Sequence, residues 1–68
     1  MEYKIGEVVI ANKLITAGLG SAHVFAEEGE HLLYEGRSTN GLHPHSVSKM
    51  GNRFNAFAVS DHEIRKAN

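Results

Sequence analysis

No cysteine occurs anywhere in this chain of 68 residues. That removes disulfides and thiolate zinc centres, the staples on which very small domains most often lean. A domain of this size hides only roughly 60% of the surface that its unfolded chain exposes, so its stability is marginal. It must gain stability from an efficient barrel, from self-association or from a partner. The length allows one domain, residues 1–68, with an expected radius of gyration of about 11 Å. Little room is left for a deep substrate pocket beside a complete core.

Charge narrows the partners. Seven Lys+Arg stand against eight Asp+Glu, a formal net charge of −1. General nucleic-acid binders carry a basic excess, because their cations replace the counterions of the phosphate backbone. Here the basic residues Lys49, Arg53, Arg65 and Lys66 gather in the last third, and the acids Glu27, Glu28, Glu30 and Glu35 lie before them. The pattern reads either as a polarised surface or as ordinary solvated edges and turns. No apolar run approaches the ~20 residues of a membrane span, and "MEYKIGEVV" lacks a secretory apolar region. A soluble cytoplasmic protein is expected, with no membrane partner and no cofactor.

Glycines and β-branched residues punctuate the chain as strands and turns. "EVVIANK" predicts a strand over residues 7–13, with Val8 and Ile10 on one face and Val9 and Ala11 on the other. Both faces are apolar. One should fill the core, and the other must be covered by a loop or a second chain. "LITAGLGSA", residues 14–22, reads as a long loop folded back on the core. Its "GLGSA" lacks the lysine and the following helix of a phosphate loop. Val24 and Phe25, then residues 31–36, read as strand pieces around the "EEGE" turn, where Gly29 can take a positive φ. "RSTNG" is an exposed loop. Pro44 belongs on an edge, at a strand start or at a bulge, with a strand over residues 45–49 following it. "MGN" turns a hairpin into a return strand, "RFNAFAV". There Phe57 and Val59 share a face with Arg53 and Asn55, while Phe54 lies opposite with Ala56 and Ala58. Ser60 and Glu63 form an S-x-x-E capping pattern for a short turn from Asp61, helical or 3₁₀, leading to a last strand at Ile64.

This order resembles the SH3-like small β-barrel modules of bacteria and phages. The resemblance rests on "IGEVVIA", on "HPHSVS" before a glycine hairpin, and on "FAVSDHEI" with Phe57, Val59 and Ile64. It covers most of residues 5–66. It departs from the eukaryotic signalling SH3 domain, because residues 14–22 hold neither the acids nor the aromatics that bind proline-rich peptides. The resemblance implies an all-β barrel of about five strands with a short 3₁₀ or helical turn near the C-terminus. It also implies a module that binds proteins or nucleic acids.

Five histidines invite a metal. His43 and His45, two apart, would face one side of a strand, with His23, His31 or His62 as a third ligand. Against this, "GLHPHSVS" contains no carboxylate, and neither HExxH nor H-x₃₋₅-H occurs. The plain alternative is a surface pair flanking Pro44. Ser46 with His45 or His62 and Asp61 makes a catalytic set only on paper, since no nucleophile-elbow motif accompanies it. A pH-responsive histidine surface is a third option.

The expected function is a small non-enzymatic protein-interaction module, such as a phage or mobile-element factor that binds a host protein, or a homo-oligomer. Val8, Ile10, Tyr34, Arg37, Lys49, Arg53 and Phe54 are the candidate partner contacts. The rival is nucleic-acid binding by the basic hairpin, with Arg37, Lys49 and Arg53 on phosphates and Tyr34 and Phe54 stacking on bases. It requires the basic residues to converge and the glutamate cluster to lie elsewhere.

Overall fold

A computed structural model describes residues 3–16, 24–39 and 41–67, with the side chains of residues 52–55 outside that description. Its strands are β1 (Val8–Ala11), β2 (Ile15–Thr16), β3 (Val24–Ala26), β4 (His31–Arg37), β5 (His45–Lys49), β6 (Asn52–Val59) and β7 (Ile64–Lys66), with a 3₁₀ turn at Asp61–Glu63. The all-β class is as expected, and the Cα radius of gyration is 10.8 Å. Five strands form one sheet in the order β6-β5-β4-β1-β7, and β2 pairs with β3 in a second. The sheets are open: the ladders of the described residues do not close into a barrel. Among the described residues no helix is long and apolar enough to cross a membrane.

Alternation decides the core. Along β1, Val9 and Ala11 are fully buried while Val8 and Ile10 are half-buried. Across the ladders the same inner face collects Leu32 and Tyr34 of β4, Val47 of β5, Phe57 and Val59 of β6 and Ile64 of β7. The two-stranded arm closes over it with Ile15 and Ala26, and Phe25 stacks on Phe57 at 4.7 Å between ring centroids. Leu14, in contrast, is half exposed.

Several boundaries differ from the sequence expectation for identifiable reasons. β1 ends at Ala11 rather than residue 13 because Asn12 leaves the ladder for the 3₁₀ turn. Its backbone N–H donates to the Glu63 carbonyl (2.8 Å), and its side-chain amide donates to the carbonyls of His62 and Ile64. β3 pairs with β2, not with β4 across the "EEGE" turn. That turn docks on the end of β1 instead: Gly29 N–H donates to Ala11 O, and Ala11 N–H donates to Glu30 O. β4 is thereby delivered to β1, with Val8 opposite Leu33 and Ile10 opposite His31. Of the long loop expected over residues 14–22, Ile15–Thr16 form β2 instead, and residues 17–22 lie outside the described residues.

The hairpin between β5 and β6 is tight, with Lys49 opposite Asn52 and Met50–Gly51 between them. Gly51 has φ 86°, and so does Gly29 in its turn; an L side chain is strained there. Pro44 stands at a strand start and not at an edge, because β5 is an inner strand. Having no N–H, Pro44 contributes only its carbonyl, which accepts from Ser38 N–H at 2.7 Å.

Candidate functional site

Two surfaces compete for a functional role: the histidine-bearing turn and the outer face of the sheet. At the turn, His45 is only 2% exposed, which corrects its placement as a surface residue. The first position of β5 points inward, and its imidazole is held at both nitrogens. Nε2 bonds the Asp61 carboxylate, and Nδ1 lies 2.8 Å from the Tyr34 hydroxyl. An ionised carboxylate only accepts, so Nε2 carries the proton in the neutral ring and Nδ1 accepts from Tyr34 O–H. Burial raises the Tyr34 phenol above its ordinary pKa, which keeps it a donor. The Tyr3 ring packs beside both, 5.2 Å from Tyr34 and 5.3 Å from His45 between centroids.

Tyr34 is therefore a core residue, not the partner anchor or base-stacking platform that its size suggested. It is 2% exposed, and its hydroxyl is committed to His45. The relay Asp61–His45–Tyr34 runs inward and ends on a buried phenol. It presents no nucleophile, and Ser46 projects to the opposite face of β5 from His45. What the relay does is tie the 3₁₀ turn to the sheet. Glu63 reinforces it, accepting from the Ser60 N–H at 2.8 Å and the Ser60 hydroxyl at 3.1 Å, the capping interaction that the sequence pattern predicts.

Nor do His43 and His45 form a ligand pair. His45 has both nitrogens engaged, and the His43 side chain is 44% exposed with Nδ1 at 3.9 Å from Glu63. Among the described residues no group of three metal-binding side chains converges. His23 lies outside the described residues.

Two carboxylates of this end have lowered pKa values. His45 holds Asp61 down chiefly through its hydrogen bond. The Lys4 backbone N–H, then the Lys66 side chain, do the same for Glu7. A carboxylate lowered on folding stabilises the folded chain above its unfolded pKa, and that contribution is lost as pH falls through the folded value. The melting temperature is therefore expected to decline as pH falls below about 4, the usual carboxylate range. Asp61→Asn should decline less steeply, as melting curves between about pH 6 and pH 2 would show. An identical acid limb in the variant would mean that the Asp61–His45 contact contributes nothing.

The outer face carries Val8 and Ile10 of β1 and Leu33 of β4, all half-buried, side by side in register. Ser48 lies next to Leu33 across the β4–β5 ladder and donates to Glu35 Oε2 at 2.6 Å. Exposed His31 and Arg65 sit on either side of Ile10. Of this group the sequence pointed to Val8 and Ile10 as partner contacts but not to Leu33, His31 or Glu35. The apolar character of both faces of residues 31–36 was the available signal, and only the register joins them to β1.

Two of the basic candidates, Arg37 and Lys49, do not converge. Arg37 pairs with His45 and Lys49 with Leu32, so they stand at opposite ends of the β4–β5 ladder. Five residues of strand separate them, about 16 Å at ~3.3 Å per residue. Lys49 also lies 3.5 Å from Glu30, so part of the glutamate cluster meets the basic hairpin rather than lying elsewhere. The side chains of Arg53 and Phe54 lie outside the described residues. Comparison of the chain with family models, with curated proteins and with solved structures found no match.

Proposed function

We propose that the chain is a small, non-enzymatic protein-interaction module of SH3-like type that docks through the outer face formed by Val8, Ile10 and Leu33. The observation that carries this is a sheet with a complete core on one side and an in-register apolar patch on the other. Supporting the SH3-like kinship is the strand order: β4, β5 and β6 form a meander, β1 lies between β4 and β7, and a 3₁₀ turn precedes the short last strand. The resemblance to bacterial and phage modules favours a phage or mobile-element factor acting on a host protein. Nucleic-acid binding ranks below this, because Arg37 and Lys49 stand apart and Lys49 faces Glu30. A photo-reactive residue at position 10, with position 42 as the control, tests the proposal in the native host. A discrete protein adduct is expected from position 10 and none from the equally reactive control.

A further inference from the structure

We propose that the segment docking on this face is acidic: an apolar side chain of a partner protein seats on Ile10, and carboxylates to either side of it pair with Arg65 and His31. The inference rests on the interaction reading above and names the partner's chemistry. The register lays His31, Ile10 and Arg65 in one row across β4, β1 and β7, on the outer face. Ile10 is half-buried, and both of its neighbours are exposed. His31 and Arg65 stand two strand spacings apart, about 9–10 Å. An apolar residue with an acid on each side matches that row.

Among the described residues no carboxylate pairs with Arg65 or His31. The carboxylates of Glu7, Glu30, Asp61 and Glu63 are committed to Lys66, Lys49, His45 and Ser60. Arg65 is positioned but not neutralised. Its Nη1 donates to Asn12 Oδ1 at 2.6 Å, and Asn12 is fixed in turn by donating to the carbonyls of His62 and Ile64. A neutral amide takes one donor and leaves the rest of the guanidinium fork for a carboxylate, which it can hold through two parallel bonds. His31 offers an N–H to a carboxylate whether its ring is neutral or charged. A nucleic acid is also anionic, but this row sets an aliphatic side chain where base stacking needs an aromatic. Glu27 and Glu28, exposed in the turn that docks on the end of β1, also repel a long polyanion.

Photo-crosslinking from position 10 of the full chain in the native host, with mass spectrometry of the cross-linked peptide, tests the inference. The peptide should come from another protein and carry Asp or Glu within about four residues on both sides of the attached residue. Arg65→Glu and His31→Glu, made separately, should each cut the adduct by about fivefold or more, whereas Arg65→Lys should leave it within about twofold. Both positions are exposed, so melting temperatures that match the wild type exclude misfolding. His31→Glu breaks no side-chain bond among the described residues, so it remains decisive if Arg65→Glu disturbs Asn12. A cross-linked peptide without such acids, an adduct with a second copy of the chain, or a yield that either reversal leaves unchanged overturns the inference while the interaction reading stands. If position 10 cross-links no protein at all, or only nucleic acid, the interaction reading itself has failed.

Discussion

His45→Ala should lower the melting temperature by roughly 15 °C, while His43→Ala, two residues away, should move it far less. The first removes a buried ring and leaves the Tyr34 hydroxyl without its acceptor in the core. An unsatisfied buried polar group costs about 1–3 kcal/mol, and the void left by the imidazole adds to it. A total near ~3 kcal/mol is a large share of the roughly 3–10 kcal/mol available to a chain of this length. For small domains each kcal/mol shifts the melting point by about 4–8 °C. The His43 side chain is half-exposed, with Nδ1 3.9 Å from Glu63, so its replacement leaves a smaller void and should cost well under the His45 change. Added zinc should raise neither value. Equal effects of the two substitutions, or a zinc-dependent rise abolished by both, would show that the histidines act as a pair.

Leu32→Ala should unfold a large fraction of the protein at physiological temperature, while Leu33→Ala should be tolerated. The two leucines are adjacent, chemically identical and on opposite faces of β4. Leu32 is fully buried at the centre of the sheet, opposite Val9 on one side and Lys49 on the other. Truncating such a residue costs about 2–5 kcal/mol, most of the stability of a domain this small. Leu33 is half-buried on the outer face, and its loss in the monomer should cost under about 1 kcal/mol. Urea melts of both variants decide it. If Leu33→Ala were the more damaging, the register of β4 would be one residue from that described, because such a slip exchanges the faces.

Local chemistry made the hairpin and the C-terminal turn readable. Gly51 and Gly29 occupy positive-φ positions in their turns, and Ser60 with Glu63 caps the 3₁₀ turn, each through contacts within a few residues. The division of β1 into Val9/Ala11 and Val8/Ile10 follows from the period of a strand, and burial settles which pair fills the core. What escaped was set by distant partners. His45 is drawn inward by Tyr34, 11 residues away, and by Asp61, 16 away. Asn12 cuts β1 short by reaching Ile64, 52 residues along the chain. A histidine beside a proline gives no sign of which face it takes until its acceptor and donor are placed. The candidate surface likewise existed in the sequence only as scattered residues. The Val8–Leu33 register assembles it, and it removes Tyr34 from it.

Photo-crosslinking in the native host tests the central claim most directly. Position 10 is on the outer face, flanked by His31 and Arg65, while Leu42 is 82% exposed and belongs to no strand. If the outer face is the docking surface, position 10 yields one dominant adduct, a second copy of the chain or another protein, and position 42 yields only diffuse background. Comparable or stronger adducts from position 42, with none from position 10, would contradict the account.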